Sequence, residues 1–397
     1  MKERGPDRRK SAGRRAGETG ARPVSGPPLV TCPHCGSLVP VGEFCGHCGA
    51  HLASGSTTRR HAFAAVPAEH VAHVSIVTTL FPHLPHRHGG PFRLALVGGG
   101  ALVLALAAAH LYAPATVAAV CVLPVLYLMY LYEVEVYESE PWLVIGATMV
   151  AGLLLGWVFG IVAGGALASL QITADRQTGL VVAAVVIPIV AQTLMLAGPL
   201  FLYQFRRQFR EPLDGLTFGA ASALGFTLAS SLVGFWPLIT QPLVANGSAI
   251  DWAVRLTRAG LLTSLVNAST TALVAAALWL HRYDRRRRDR PWYSTILVAL
   301  VVAYSVQMLL GLFEFLIPDL LAHVAVLAAV TVGLLLFVRY AIHQALLVEG
   351  AEHEIGPNSV CQECHRVVPA MAFCPACGSA RAATPKGRRR SGVGGAV

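Results

Sequence analysis

Eight stretches of this 397-residue chain are each long and apolar enough to cross a bilayer: roughly 94–112, 115–132, 142–168, 179–203, 215–238, 259–280, 293–316 and 319–338. Spanning the hydrocarbon takes about 20 mostly apolar residues. Lipid offers no partner to a bare peptide group, so each stretch is predicted to be a helix. Gly98 to Gly100, Pro124, Pro188 and Pro199 lie inside these runs, and membrane helices tolerate both residue types. Composition agrees: charged residues are 13% of the chain, against about 25% in soluble domains. No apolar core follows the basic first thirty residues closely, so no cleaved signal peptide is read there.

The net charge of +10 raises the question of nucleic acid, but the basic residues are not spread over one face. They gather in the amino tail (Arg8, Arg9, Lys10, Arg14, Arg15), in two loops, and in a short carboxyl tail (Lys386, Arg388, Arg389, Arg390). The loop 204–214 holds Arg206, Arg207 and Arg210, and the loop 281–291 holds Arg282, Arg285 to Arg288 and Arg290. Both fall at even connections, as does the acidic loop with Glu133, Glu135, Glu138 and Glu140. The connection 239–258, with Arg255 and Arg258, is the exception on the other side. The positive-inside rule then predicts a multi-pass cell-membrane protein with both termini in the cytoplasm. Membrane lipids are expected partners through these basic loops, and no specific nucleic acid is expected.

Eight of the nine cysteines fall into two copies of one spacing. Cys32 and Cys35 are followed after nine residues by Cys45 and Cys48; Cys361 and Cys364 are followed after nine residues by Cys374 and Cys377. Tandem CxxC turns place four thiolates where a tetrahedral zinc takes them. Gly36, Gly49 and Gly378 follow a second cysteine and allow the tight turn that aims amide hydrogens at sulfur; His365 stands in the fourth such place. Phe44 and Phe373, Val39–Pro40 and Val368–Pro369 occupy matching positions. The two modules read as one duplicated unit resembling a zinc ribbon. So short a module cannot bury enough apolar surface to fold alone, and bound metal supplies the missing stability. Four thiolates leave no open position for water, so two structural zinc ions are expected, one per ribbon. Cys121 sits in an apolar run and reads as a small core residue.

The predicted fold class is thus an all-α polytopic membrane bundle of about eight transmembrane helices flanked by two small β-rich zinc ribbons. The expected organisation is a basic tail (1–29), a ribbon (30–53), a linker (54–91), the membrane domain (92–345), a second linker (346–357), a second ribbon (358–380) and a basic tail (381–397). The first linker is rich in Ala, Pro and His and reads as solvated; His83, His86 and His88 lack an obvious further ligand. Gly160 and Gly164 form a GxxxG pair read as close helix packing.

Three stretches of the core carry a further pattern. The first is Tyr132 to Pro141, ending Glu138-Ser139-Glu140-Pro141. The second is Ile187 to Gln192, followed by Arg210-Glu211-Pro212-Leu213-Asp214-Gly215. The third is Leu224-Gly225-Phe226. Over roughly residues 120–340 the chain resembles the PrsW family of intramembrane proteases. That resemblance implies paired glutamates and a lysine on one span, a glutamate on the next, and histidines on later spans. Carried over, the glutamates fall on Ala191 and Gln192, the lysine on Met195 and the later glutamate on Ser230. The first histidine falls near Asn267 and the last near Ser305 or Gln307. None of these positions holds the family residue. A hydrolytic metal needs about three protein ligands and an open site for water, and an acid–base route needs a group that takes a proton. Ala, Met, Ser, Gln and Asn supply neither.

The expectation is a pseudoprotease without catalytic residues: a binding or regulatory scaffold that takes a membrane-embedded segment of another protein, with cytoplasmic ribbons making contacts to protein partners. Two alternatives stand beside it: an active intramembrane metalloprotease using shifted residues such as Glu314 or His323, and a small-solute transporter. Gln192, Ser230, Ser231, Asn267, Thr270, Thr271, Ser305 and Gln307 either line an internal cavity or hydrogen-bond between helices. Asp214 and Gly215 are expected to set the turn into the fifth span.

Overall fold

The structure is a computed structural model, and it describes residues 28–52, 63, 65–66, 69–73, 78, 81, 90–134, 142–173, 176–205, 209, 212–240, 249–281, 296–317, 319–350 and 355–381. The arginine loops, the histidines at 83–88, both basic tails and most of the acidic loop lie outside these residues.

Eight helices are long and apolar enough to cross a membrane. They are α1 (Gly90–Ala108), α2 (Tyr112–Val134), α3 (Trp142–Thr173), α4 (Arg176–Gln204), α5 (Pro212–Gly234), α6 (Ile250–His281), α7 (Ile296–Leu316) and α8 (Leu320–Gly350). Each holds its backbone bonds internally, as hydrocarbon requires. Helices α4 and α6 each contain one π-helical turn, at Val182–Val186 and Arg258–Leu262. Helix α6 begins earlier than the apolar run because an amphipathic lead-in, Ala249–Thr257, joins it; there Trp252 stacks on Tyr112 with ring centroids 4.6 Å apart.

Helix α5 is the axis of the bundle. Its Gly, Ala, Ser and Thr face is thin enough for α3 and α6 to pack on it at backbone distance. A methyl group on Gly225 would run into the Met149 carbonyl, and one on Gly152 or Gly156 into the carbonyls of Ser222 or Phe226. On the other side, a Cβ on Gly219 would lie 2.8 Å from the Cα of Ala272. The small-residue stripe of α3 is therefore Gly152, Gly156 and Gly160, one residue per turn. Gly164, paired with Gly160 from sequence, faces open space. Four-residue spacing was the right signal, but the register of contact is decided by where α5 ends.

Helix α8 runs to Gly350, well past the expected end at 338. Its apolar run is broken by Arg339 and His343, yet both are buried, Arg339 at 0% exposure. The segment expected to be a solvated linker supplies the compensation. Glu69 pairs with the Arg339 guanidinium at 3.1 Å, and Arg339 also donates to the His70 carbonyl at 3.1 Å and to Thr78 Oγ1 at 3.4 Å. Phe63, fully buried, lies under the guanidinium with its ring centre 4.3 Å away. Phe81 packs with Phe92 and Tyr130 at 4.6 and 5.0 Å. The described residues between 63 and 81 thus form a strap held onto the bundle, a correction to the solvated reading. A charge-to-charge contact across some 270 residues of sequence leaves no local periodicity to read.

Burial pushes the Glu69 carboxyl up, but hydrogen bonds from Thr78 and Arg339 outweigh it and hold the group below its usual range. A depressed carboxyl stabilises the docked strap above the ordinary carboxylate range and loses that contribution as pH falls through the folded value. The strap is therefore expected to stay docked at neutral pH and to loosen in acid. Arg339→Met should do the same at pH 7 with a cost of about 3 kcal/mol, the low end for breaking a buried pair, because freed Glu69 regains water. Hydrogen exchange of residues 63–81 checks both; unchanged protection in the variant would refute the clamp.

Candidate metal centres and the buried polar cluster

Each cysteine module is a two-stranded antiparallel hairpin with a second knuckle beside it. Strand β1 (Leu29–Thr31) pairs with β2 (Leu38–Pro40), and β3 (Asn358–Val360) pairs with β4 (Val367–Pro369), in the same register. The repeat extends to an isolated bridge in each, Phe44 with His51 and Phe373 with Ala380. In all four knuckles the residue after the second cysteine donates its amide to the carbonyl of the first, at 2.8–2.9 Å. That residue has positive φ: Gly36 at 71°, Gly49 at 72°, Gly378 at 75°, and His365 at 58°. His365 thus makes the same left-handed turn as the glycines, a conformation L residues other than Asn, Asp and His seldom take.

The knuckles bring the sulfurs of Cys32, Cys35, Cys45 and Cys48, and those of Cys361, Cys364, Cys374 and Cys377, within 4.8 Å of one another. Sulfur pairs lie at 3.8 Å (Cys32–Cys48, Cys35–Cys45), 3.9 Å (Cys361–Cys377) and 3.8 Å (Cys364–Cys374). A tetrahedral ion with bonds of ~2.3 Å sets its sulfurs ~3.8 Å apart, so both sets can hold one. Amides of His34 and Cys48 point at the sulfurs of Cys32 and Cys45, both at 3.4 Å. Contact with Cys48 pulls the Cys45 thiol down to about 5, and the same contact pushes Cys48 up. Four thiols this close cannot all ionise unaided; a central cation lets them, with release of protons.

The two modules are one body. Pro375 accepts amide hydrogen bonds from Glu43 and Phe44, both at 2.9 Å, and Phe373 donates its amide to Gly46 at 2.8 Å. Met371 completes the apolar cluster of the first ribbon, with Cys32, Val39, Cys45 and Ala50. The Phe44 ring lies so close to Gly378 that a Cβ there would come within 2.7 Å. The second ribbon in turn docks on the bundle: Phe373 and Ala380 pack with Leu213, Leu280, Ile342, Leu346 and Phe63 of the strap. Both ribbons therefore sit at one end of the bundle, where α5 begins and α6 and α8 end.

Deep in the bundle, residues from four helices converge. Fully buried Gln192 (α4) donates to Thr271 Oγ1 at 3.3 Å and accepts from Thr270 at 3.1 Å, both on α6. Asn267 (α6) donates to Thr227 Oγ1 (α5) at 2.8 Å. Gln307 (α7) donates to Asn267 Oδ1 at 2.8 Å and lies 3.3 Å from Gln192 Oε1. Met195 is buried beside Thr271, 3.9 Å away, and Ala191 packs next to Met195, Ala223 and Phe226. Ser230 bonds the Thr227 carbonyl at 3.3 Å and so sits at the edge of the cluster. Of the two residues matched to the last histidine, Gln307 is in the cluster, whereas Ser305 is exposed on another face of α7. Thr227 was not singled out from sequence; its signal is its place one turn before Ser230 on the face toward α6. Glu314 and His323 lie at the other end of the bundle, away from the ribbons. Glu314 is paired there with Arg258, and His323 is buried on α8.

These features define a polytopic α-helical membrane protein with two fused four-cysteine modules at one end. The family model for PrsW family intramembrane metalloprotease matches residues 140–342, α3 through most of α8, and the chain belongs to that family. No curated protein and no solved structure matches it.

Proposed function

We propose that the chain is a non-catalytic scaffold of this family. Its bundle binds a membrane-embedded segment of a second protein, and its ribbons hold two structural zinc ions on the cytoplasmic side. One observation carries the reading: where Gln192, Asn267 and Gln307 meet, the interacting side chains are amides and hydroxyls. Such groups hydrogen-bond between helices but neither take a proton from water nor bind a hydrolytic metal well. Among the described residues, clusters of three or more metal-ligating side chains occur only in the two ribbons. Zinc is the reading for those because four thiolates at this spacing suit it and close its shell. The arginines that follow α4 and α6 in the sequence support a cytoplasmic placement of the ribbons. The pairing of Glu314 with Arg258 weighs against the alternative of a shifted active site there.

The test is reconstitution in liposomes with zinc and a panel of single-span membrane proteins. The substrates are expected to remain uncut while one or more co-purifies, and Gln192→Leu with Asn267→Leu should weaken that association. Peptide-bond scission that disappears in Gln192→Ala or Glu314→Ala would sink the proposal.

A further inference from the structure

The ribbon-end half of the bundle contains a cavity on the opposite face of α6 from the polar cluster. Its volume is about 90 Å³, and it lies between α2, α5, α6 and α8. The lining runs from Leu216 to Leu224 on α5 and from Leu123 to Leu131 on α2. At 1.5 Å per residue that is a slot about 12 Å long, parallel to the helices. Two of its polar side chains are turned to backbone carbonyls: Tyr127 on α2 donates across to the Thr217 carbonyl on α5 at 3.0 Å, and Thr217 donates to the Leu213 carbonyl one turn before it at 3.1 Å. The remaining lining is apolar but for the Ser269 and Tyr130 hydroxyls, whereas a buried water typically takes two to four polar partners.

We propose that this slot binds one hydrocarbon chain of a bilayer phospholipid. A void of this size forfeits dispersion contacts along its whole wall. The spans around it face hydrocarbon, and a narrow slot along the helix axis takes a short length of an extended chain and no bulkier ligand. The way in is lateral. Helices α2 and α8 form opposite walls, and their packing is to α5 and α6 more than to each other. The ribbon end is closed by Phe81 of the strap, which lines the slot and is wedged against Phe92 and Tyr130. The contacts of Glu69 and Thr78 with Arg339 lie at the same end of the slot's α8 wall.

The experiment uses the full chain in phosphatidylcholine vesicles carrying a phosphatidylcholine with a diazirine midway along one acyl chain, with adducts mapped by mass spectrometry after illumination. Adducts on Tyr127, Leu335 and Val338 should exceed those on the lipid-facing residues Leu94, Val97 and Leu104 of α1, which are 69–75% exposed. Filling the slot with Ala268→Leu, or with Ser269→Leu should the first fail to fold, should cut slot adducts about tenfold and leave α1 adducts unchanged; tenfold is ~1.4 kcal/mol, less than two buried methylenes contribute. Phe81→Ala should increase slot labelling. Equal labelling of slot and α1, or slot labelling indifferent to both filling variants, would mean ordinary boundary lipid and overturn the site. Labelling by a diazirine free fatty acid that phosphatidylcholine cannot displace would overturn the phospholipid assignment.

Discussion

Cys374→Ser is expected to strip metal from both ribbons, although it touches the ligands of only one. Structural zinc contributes about 10–16 kcal/mol to modules of this kind, so the second ribbon should unfold when its shell is broken. The first ribbon then loses the Pro375 carbonyl that accepts from Glu43 and Phe44, the amide of Phe373 on Gly46, and Met371 from its core. With the one ion per ribbon proposed above, metal per chain should fall from two toward none, and protection of residues 28–52 against proteolysis should fall with it. Cys121→Ser, a cysteine on α2 outside both sets, should change neither. If the variant keeps one tightly held ion and a folded first ribbon, the modules are independent and the paired interface contributes little. The same coupling predicts that an isolated fragment carrying residues 28–52 binds metal more weakly than the whole chain does.

Gly225→Val should prevent the bundle from assembling. Overpacking of a core costs about 1–3 kcal/mol when side chains can shift; here the obstacle is the Met149 backbone carbonyl on α3 and the Leu153 amide beyond it, and neither moves without separating two helices. Gly156→Val meets the Phe226 backbone in the same way. Gly164→Val and Gly98→Val point into open space and should be silent. Thermal unfolding in detergent separates the two classes: the first pair should lower the midpoint steeply or abolish the folded peak, the second should leave it within a degree or two. Comparable losses from Gly164→Val would mean that the register of α3 on α5 is wrong.

The spans were legible because hydrocarbon imposes a length and an apolar composition that no tertiary contact overrides. The two four-cysteine groups were legible because a tandem CxxC spacing is a local pattern, and the structure brings each set of four sulfurs together. The glycine stripe was half legible: its period stood out on α3, but the partner register belongs to α5, and so Gly164 was taken in place of Gly152 and Gly156. The end of α8 was misplaced because Arg339 looks like the end of a span until Glu69 is known to neutralise it. Ser305 and Gln307 could not be separated by counting, since two residues on a helix lie about 200° apart and only packing shows which one turns inward.

Taken alone, then, the order of residues determined what must be helical, what is apolar enough to lie in lipid and which thiols come together. Each of those follows from the solvent or from chemistry acting over a few neighbouring positions. Tertiary structure decided that the two ribbons are one cap, that the described residues between 63 and 81 dock on the bundle, and that amides and hydroxyls from four helices meet at one point. Those outcomes depend on contacts between residues tens to hundreds of positions apart, whose free energies exist only once the helices have packed.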